Sequence, residues 1–361
     1  MLVQLIPVLL AIPLALAASL TLPAVQRVLL PPPQALQELI AEAQARPEPE
    51  PSVRWDVTYH KDLLRTYRLD VYGPLTESAA EDPDGAEDPD GAENDPARLN
   101  SNSISSVSTD ATLSAPAPVI VFFHGGSWIR GDKITLLVVD RFLRRMREAG
   151  WFVVSVNYTT SAFRGIGGPV RNAYRALEWV HEHADSYGWD PHRVGVYGVS
   201  SGAHLALMAA SPASGIEPRP VLVLSECAPA DLIAMSRGDG FDNSSTFRLF
   251  PNFRLRALSP TEHIDSDYPP VLIYHGDADE IVAFDQAEVL AATLSREGVS
   301  HELVRYPGGN HAFLNYSDKQ WYELESRAIR WMRSIFDNGT PAPPATPPAE
   351  LPLFTRQSDS P

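Results

Sequence analysis

Residues 197–204 read Tyr-Gly-Val-Ser-Ser-Gly-Ala-His and place a serine between two glycines, in the pattern Gly-x-Ser-x-Gly. An apolar run at 193–197 precedes this serine, and an alanine- and leucine-rich run at 203–210 follows it. A sharp turn from a strand into a helix holds such a serine in a strained backbone, and the flanking glycines avoid Cβ clashes. We therefore expect the Ser200 hydroxyl to stand at the carboxyl edge of a sheet, where it attacks a carbonyl as a nucleophile.

A second stretch suited to this chemistry is residues 119–128, an apolar run that leads into His-Gly-Gly-Ser-Trp. Such a turn presents backbone N–H groups to the oxyanion that forms when a serine attacks a carbonyl. We expect Gly126 and Ser127 to supply two of these donors. The N–H group of Ser201, just after the nucleophile, supplies a third.

Residues 270–282 contain an apolar strand that ends in His-Gly and is followed by a cluster of acids. The acid that orients a catalytic histidine belongs just past such a strand. Asp277 and Asp279 compete for this role, and Asp231, after the previous strand, is a third candidate. We favour Asp279 because the run His-Gly-x-x-Asp-x-x-Val puts it where the loop has turned towards the site. Asp277 is then a loop-capping or solvent-facing carboxylate.

The histidine expected to act as the base is His311, in the run Arg-Tyr-Pro-Gly-Gly-Asn-His-Ala-Phe at 305–313. A loop histidine with glycines before it and an apolar anchor, Phe313, after it suits a general base. It also completes the chain order Ser, Asp, His that this kind of site uses. His124 precedes the serine, so we interpret it as a structural hydrogen-bonding residue. His204 lies one helical turn past the serine and is expected to point into helix packing.

Three of these stretches resemble the motifs of α/β-hydrolase carboxylesterases, in their hormone-sensitive-lipase-like and feruloyl-esterase-like (BD-FAE-type) branch. They are His-Gly-Gly-Ser-Trp-x-x-Gly-Asp-Lys at 124–133, Gly-Val-Ser-Ser-Gly-Ala-His-Leu-Ala at 198–206, and His-Gly-x-x-Asp-x-x-Val at 275–282. The resemblance covers about residues 52–337, with gaps. It implies Ser200 as nucleophile, Asp279 as acid and His311 as base, with an oxyanion hole made by Gly126, Ser127 and Ser201.

The sequence departs from that family pattern at two positions. Ser127 stands where a third glycine is commoner, which keeps the backbone N–H group but narrows the acyl pocket slightly. Ser201 replaces the usual alanine and adds a hydroxyl to which the sequence assigns no role. No cofactor or metal is expected, because the histidines and the single cysteine lack ligand spacing.

The elements that must position these residues alternate along the chain. Strand-like runs occur at 53–60, 66–72, 119–123, 152–156, 193–197, 221–225, 271–275 and 301–306, and helical runs at 135–149, 170–185, 201–210, 284–297 and 318–336. Right-handed crossovers then give an α/β-hydrolase fold, with a mostly parallel eight-stranded sheet and helices on both faces. Residues 226–268 interrupt this alternation and carry Phe241, Phe247, Phe250 and Phe253, so we expect a small cap there over the acyl pocket.

The ends of the chain differ in composition from this catalytic domain at 52–337. Residues 1–26 carry no charge and are almost wholly apolar at 2–22, which predicts a signal peptide or a membrane anchor. We therefore expect an exported or membrane-anchored protein of the cell envelope. Residues 27–51 form a proline-rich linker with a short amphipathic helix at 34–46. Residues 338–361 contain seven prolines and are expected to form a disordered tail.

An acidic insertion at about 75–117 accounts for much of the chain's net charge of −16. Its core at 77–98 holds nine acids and one arginine, within a tandem repeat of Glu-Asp-Pro-Asp-Gly-Ala at 81–86 and 87–92. Low hydrophobicity and high charge prevent such a segment from burying enough surface to fold. We predict a disordered surface loop rather than a binding site for a partner.

The activity that the sequence favours is hydrolysis of a small-molecule carboxylic ester through a Ser-His-Asp triad and an acyl-enzyme. An amidase, such as a formamidase, would use the same triad and remains an alternative. A non-catalytic binding protein on the same scaffold is less favoured, because Ser200, Asp279 and His311 are all present. We expect no nucleic-acid partner, and association with a membrane only through the N-terminal segment.

Overall fold

The protein is described by a computed structural model that covers residues 52–63, 65–75, 116–134, 140–160, 165–237 and 250–338. Eight strands form one sheet, with bounds β1 Val53–Lys61, β2 Thr66–Tyr72, β3 Ala117–Phe123, β4 Phe152–Val156, β5 Trp189–Val199, β6 Leu222–Glu226, β7 Val271–Gly276 and β8 His301–Tyr306. Their order across the sheet is β1-β2-β4-β3-β5-β6-β7-β8. β2 pairs antiparallel with β1 and β4, and the strands from β4 to β8 are parallel to one another.

The described helices cover both faces of this sheet. Their bounds are α1 Asp140–Glu148, α2 Gly167–Glu182, α3 Ala184–Tyr187, α4 Ser201–Ala209, α5 Leu232–Arg237, α6 Asn252–Arg256, α7 Asp285–Arg296 and α8 Asp318–Asn338. Helices α2, α4 and α7 bury their apolar sides in one core cluster, and helices α1 and α8 bury theirs in the other. The predicted fold, an α/β-hydrolase arrangement with a mostly parallel eight-stranded sheet, is therefore confirmed.

Strand β3 shows why the sequence forms this layered structure. All seven of its residues are buried, as expected for a central strand that is covered on both faces. Successive side chains point to opposite faces: Val119 and Val121 join one core cluster, whereas Ile120 and Phe122 join the other. A continuous apolar run, rather than an alternating one, is thus what this position in the sheet requires.

Two predicted boundaries differ from the structure by a residue or two. The acidic insertion was expected to end near 117, but Ala117 already pairs with Trp189 as the first residue of β3. The expected cap was to begin at 226, but Glu226 pairs with Tyr274 inside the sheet. In both places the backbone hydrogen bonds of the sheet include one or two residues beyond the apolar run in the sequence.

Several segments singled out in the sequence lie outside the described residues. They are the N-terminal segment and linker at 1–51, the acidic stretch at 76–115, the cap residues at 238–249 with Phe241 and Phe247, and the tail at 339–361. In the described part of the expected cap, Phe250 is half-buried against the core, whereas Phe253 is 69% exposed. Among the helices that the structure describes, none combines the length and the apolar character needed to cross a membrane.

The amino ends and the carboxyl ends of the parallel strands form two opposite edges of the sheet, and different segments of the chain lie at each. At the amino ends of the parallel strands, Gly73 N–H donates to Ser52 O at 2.8 Å, and Leu75 N–H donates to Arg147 O at 3.2 Å. Near the end of α8, Phe336 contacts the ring of Trp151, which directly precedes β4. Residues 52, 75, 116 and 338, where the chain continues into its long undescribed segments, therefore lie on the side of this amino edge. The opposite, carboxyl edge carries the loops that follow β3, β5, β6, β7 and β8.

Candidate active site

Ser200 occupies a strained turn between β5 and α4, as predicted. Its backbone has φ 57° and ψ −122°, a combination that non-glycine residues adopt only where the surroundings enforce it. The Ser200 N–H group donates to Glu226 O at 2.8 Å, which ties the turn to the end of β6. A Cβ at Gly198 would collide with the backbone of Gly202, so the glycines of the motif allow strand and helix to pass.

His311 lies between the serine and the acid. Its Nε2 atom is 2.9 Å from Ser200 Oγ, and its Nδ1 atom is 2.7 Å from Asp279 Oδ2. Because an ionised carboxylate only accepts hydrogen bonds, Nδ1 carries the proton, and Nε2 is free to accept the serine proton. The histidine starts a short 3₁₀ turn whose last residue, Phe313, is fully buried. Phe313 is therefore the anchor that the sequence predicted.

The carboxylate of Asp279 is buried and accepts hydrogen bonds at both oxygens. Oδ1 accepts from the N–H groups of Ile281 and Val282 at 2.8 and 2.9 Å. Oδ2 accepts from His311, and His275 Nε2 lies 3.4 Å from it. Burial alone would raise the pKa of Asp279, but the hydrogen bonds from the two histidines and the loop amide outweigh it. The pKa of this carboxyl therefore lies far below its ordinary value, and Asp279 is an anion at neutral pH.

The two competing acids have other partners. Asp277 accepts from the Gly308 N–H group at 2.7 Å and pairs with Arg305 at 2.9 Å, so it caps a loop, as expected. Asp231 accepts from the N–H groups of Ile233 and Ala234 and caps the start of α5. Of the three predicted candidates, only Asp279 contacts His311.

Backbone strain is concentrated around this triad. Seven non-glycine residues of the described chain have a positive φ, and six of them lie on the carboxyl-edge loops: Ser127, Trp128, Ser200, Cys227, Ala312 and Phe313. Each such residue costs on the order of 1–3 kcal/mol and persists only where the surroundings hold it. Strain of this kind clusters at functional sites, which supports the assignment of this edge.

The predicted oxyanion loop lies directly beside the nucleophile. A Cβ on Gly125 would be 3.5 Å from Ser200 Cβ, so the two backbones are in close contact. The loop closes on itself, because the N–H groups of Ile129 and Arg130 both donate to Gly126 O at 3.1 Å. Within the described chain, the N–H groups of Gly126, Ser127 and Ser201 donate to no carbonyl. These three predicted donors are thus available to a ligand.

Tyr158, which lies in none of the sequence motifs, contacts the residue at the start of this loop, His124. Its hydroxyl donates to His124 O at 2.7 Å and lies 3.5 Å from Ser201 Oγ. Its ring stacks on His124 at 4.2 Å, and His124 Nδ1 in turn lies 2.7 Å from Gly125 O. His124 is therefore a structural hydrogen-bonding residue, as predicted. The hydroxyl of Ser201, unexplained in the sequence, faces the Tyr158 hydroxyl.

The only cysteine of the chain lies under the triad. Potential ligand atoms of Cys227, Asp279 and His311 all lie within 4.8 Å of one another. Two of these side chains are already hydrogen-bonded to each other, and burial raises the pKa of the Cys227 thiol well above its ordinary value. A neutral thiol is a poor metal ligand. The arrangement therefore fits a proton-transfer site better than a metal centre.

An open cleft of about 340 Å³ lies elsewhere, at the amino edge of the sheet. Ser52, Arg54, Val71, Phe152, Ser186 and Tyr187 line it. None of the predicted site residues is among them. The candidate site is therefore defined by the geometry of the triad and not by this cleft.

Comparisons with known proteins identify the family of the chain. A profile of the BD-FAE family matches residues 107–294, more than half of the chain. That stretch contains Ser200 and Asp279, and His311 lies beyond it.

Among curated proteins, esterase LipQ of Mycobacterium tuberculosis is 28% identical over 216 residues, which are 55% of this chain and 50% of LipQ. Carboxylic ester hydrolase LipN of the same organism is 32% identical over 219 residues, 55% of this chain and 57% of LipN. The chain thus spans about half the length of the curated relatives it matches.

Solved structures show the same fold. The thermophilic esterase Est2 of Thermogutta terrifontis, bound to propionate, superposes with a TM-score of 0.59 at 22% identity, over 83% of this chain and all of Est2. A truncated carbohydrate esterase from gut microbiota gives a TM-score of 0.57 at 20% identity, over 78% of this chain and 99% of that protein. The profile covers more than half of the chain and the solved structures share its fold, so the chain belongs to the BD-FAE family and has the α/β-hydrolase fold.

Proposed function

We propose that the protein hydrolyses small-molecule carboxylic esters, with Ser200 as nucleophile, His311 as general base and Asp279 as the acid that orients it. The observation that carries this proposal is the continuous hydrogen-bonded chain from Ser200 Oγ through His311 to Asp279. A serine hydroxyl is a weak nucleophile at neutral pH, so a base within hydrogen-bonding distance is what the chemistry needs.

In the acylation step, Ser200 Oγ attacks the ester carbonyl while its proton moves to His311 Nε2. Asp279 stabilises the imidazolium that forms and keeps its own charge. The tetrahedral intermediate then collapses, and His311 returns the proton to the leaving alcohol. Water hydrolyses the acyl-serine by the same sequence of proton transfers, which restores the free serine.

The oxyanion of each tetrahedral intermediate requires donors, and we assign this role to the N–H groups of Gly126, Ser127 and Ser201. Two features support the assignment: these groups donate to no described carbonyl, and Gly125 lies against Ser200. Removal of one such donor costs about 100- to 1,000-fold in kcat in measured cases. Only proline would remove a backbone N–H group, and its φ of about −65° does not fit the positive φ of Gly126 and Ser127, so the loop is better tested through residues that hold it.

Covalent labelling tests the enzyme assignment. A fluorophosphonate should add its mass to Ser200 in the folded full-length protein and block hydrolysis of p-nitrophenyl esters. Ser200→Ala should abolish the labelling and lower kcat by about 10⁶-fold, as in a measured triad. Ser201→Ala, one residue away, is the matched control and should still be labelled. Folded protein that takes up no fluorophosphonate would contradict the proposal.

Ester and amide hydrolysis use the same triad, so substrate comparison must separate them. We expect a panel of aryl esters with acyl chains of different length to be turned over, and matched aryl amides and formamides to be turned over far more slowly. The relatives named as esterases support this expectation. Turnover of the amides alone would make the protein an amidase.

Export or membrane anchoring through residues 1–26 is part of this proposal and depends on the uncharged apolar sequence of that segment. Fractionation of cells that express the full chain with a C-terminal tag tests it. Recovery in the membrane or the exterior fraction is the expected result. Recovery of the intact N-terminus in the cytosol would exclude both forms of the prediction.

A further inference from the structure

His204 is a buried histidine of α4 that lies one helical turn past the nucleophile and takes no part in the proposed proton transfers. Its ring joins two distant segments. Trp128 Nε1 donates to His204 Nδ1 at 3.3 Å, and the two rings meet edge to face at 5.1 Å. His204 Nε2 lies 2.7 Å from Leu258 O, just past α6. The side chain thus connects the oxyanion loop, the nucleophile helix and the segment after β6.

These two partners allow a single protonation state. An indole N–H group only donates, and a carbonyl only accepts. Both contacts are therefore made only when Nδ1 of His204 is bare and Nε2 carries the proton. Burial, against the raising effect of the bond to Leu258 O, lowers the pKa of His204 to about 4, so the ring is neutral at physiological pH. The orientation of this ring is fixed from both ends.

The residue that His204 holds is adjacent to a predicted oxyanion donor. Ser127 and Trp128 have φ values of 56° and 60°, two successive left-handed residues without glycine. A backbone in this conformation relaxes unless side-chain contacts hold it. Trp128 is 4% exposed, so the packing and the hydrogen bond of its indole act directly on this strained pair.

We propose that His204 is a positioning residue for the oxyanion loop: through Trp128 it fixes the direction of the Ser127 N–H group beside Ser200. This inference rests on the proposed esterase function, because it concerns the donors that stabilise the tetrahedral intermediate. Donors aimed at a transition state lose much of their effect when they are displaced by a fraction of an ångström to an ångström. A loss of His204 therefore lowers turnover more than substrate binding.

His204→Phe is the first test, since phenylalanine keeps the ring volume but can neither accept from Trp128 nor donate to Leu258. We expect kcat for a p-nitrophenyl ester to fall about 10- to 100-fold, with KM little changed. Tyr268→Phe is the matched control: the buried Tyr268 hydroxyl donates to Leu207 O of the same helix but does not contact the oxyanion loop. Equal kcat values for the two variants would overturn the proposal.

Trp128→Phe removes the same hydrogen bond from the other side and keeps the test valid if His204→Phe does not fold. It should lower kcat to a similar extent. The kcat of the double variant should be no lower than that of the less active single variant, because both substitutions remove the same interaction. His204→Gln, which restores a donor and an acceptor, should recover part of kcat. Wild-type kcat in a folded Trp128→Phe protein would overturn the proposal.

A mechanism-based readout separates positioning from general damage. An aliphatic boronic acid, which forms a tetrahedral adduct with Ser200, should bind His204→Phe more weakly by the same factor as the loss in kcat. KM should stay near the wild-type value. If the wild-type protein itself showed neither esterase activity nor labelling at Ser200, the proposed function would fail. A normal wild-type enzyme with an unchanged boronate affinity in His204→Phe would refute the inference alone.

Discussion

At the scale of single residues, Asp279, the acid of the proposed triad, has more partners than the orientation of one histidine requires. One carboxylate oxygen of Asp279 accepts hydrogen bonds from two loop amides, and His311 and His275 lie near the other oxygen. His275 Nε2 also lies 2.8 Å from Val282 O, so its proton is shared between the carbonyl and the carboxylate. This arrangement holds the carboxylate in one orientation and keeps it ionised.

Substitution of the acid distinguishes it from its neighbour in the sequence. Asp279→Asn should lower kcat by about 10⁴-fold at pH 7, because an amide there favours the wrong tautomer of His311. Asp277→Asn is the matched control, since Asp277 pairs with Arg305 and Gly308 outside the triad. We expect its kcat to stay close to that of the wild type. Ester hydrolysis assayed at saturating substrate measures both, and a larger loss in Asp277→Asn would reverse the assignment.

The triad itself could be predicted from the sequence because each member lies in a short local motif. The serine elbow, the His-Gly-x-x-Asp run and the Pro-Gly-Gly turn each follow a recognisable strand. The supporting roles of other residues could not be predicted in this way, although His204 and His275 lie within these motifs. Tyr158, His204 and His275 act through contacts between segments that are far apart or through backbone carbonyls, which leave no periodic pattern.

At the scale of elements, the predicted strands and helices followed from the apolar patterns of the sequence. Seven of the eight predicted strands both begin and end within two residues of the observed ones, a normal uncertainty for element boundaries. β5 begins earlier than predicted, at Trp189, because Ala117 of β3 pairs with it. That pairing depends on the neighbouring strand, so the sequence of β5 alone could not indicate it.

The end of β6 carries a carboxyl group in the core under the nucleophile. Burial raises the pKa of Glu226 to about 7, helped by the nearby charge of Glu325 and opposed by the hydrogen bond from Tyr197. An unfolded glutamate has a pKa of about 4.3. The folded state therefore binds the proton more tightly, and this group lowers stability progressively as the pH rises from about 4.3 to about 7.

Glu226→Gln removes this dependence. The variant and the wild type should have similar unfolding free energies near pH 4.5, and the variant should be more stable at pH 8 by on the order of 2–3 kcal/mol. Denaturant unfolding at several pH values measures the difference. Glu262→Gln, at a carboxylate with a 42% exposed side chain, serves as the control and should follow the wild-type curve. A wild-type-like pH profile for Glu226→Gln would contradict the burial argument.

A buried ion pair connects the far end of the oxyanion loop to β2. Lys133 Nζ lies 2.9 Å from Asp70 Oδ1, and the two side chains are 4% and 0% exposed. The backbone of Lys133 is held as well, by Asn157 Oδ1 at 2.6 Å and Ser155 Oγ at 2.7 Å. Because β4 lies between β3 and β2, the Lys133 side chain reaches past this one strand to its partner.

Lys133→Met leaves the Asp70 carboxylate buried without this cation and should cost about 3–5 kcal/mol of unfolding free energy. Lys133→Met/Asp70→Asn should recover part of this loss, since no charge is then left in the core. Arg219→Met is the control: its partner Asp265 has a 42% exposed side chain, and exposed pairs contribute about 0–1 kcal/mol. Urea unfolding of the three variants gives the comparison, and a small effect of Lys133→Met alone would show that solvent reaches the pair.

At the scale of the whole molecule, the described residues that flank the acidic insertion and the active site lie at opposite edges of the sheet. Residues 75 and 116 flank the insertion at the amino edge, whereas Ser200 follows β5 at the carboxyl edge. Strand β3 spans about 20 Å between the two edges. Charges held near residues 75 and 116 would be screened from Ser200, because the Debye length is about 8 Å at physiological ionic strength.

Neutralising the acids of 77–98 to Asn and Gln should therefore leave kcat/KM for an uncharged ester unchanged within about twofold at 0.15 M salt. The experiment uses the full chain and compares kcat/KM at low and physiological salt. Arg130→Gln, on the oxyanion loop beside the site, provides a charge change at the carboxyl edge for comparison. A large effect of the neutralised insertion at physiological salt would mean that this segment reaches the active site.

The positions of residues 52 and 338 determine how the catalytic domain is oriented when the protein is immobilised. Residues 52 and 338 both lie on the side away from Ser200, so an attachment at either residue would hold the catalytic domain at the amino edge of its sheet. On a bead, an electrode or a lipid surface, the carboxyl edge with Ser200 would then face the solvent. A carrier linked through the N-terminus and one linked through the C-terminus should present the same face to passing substrate.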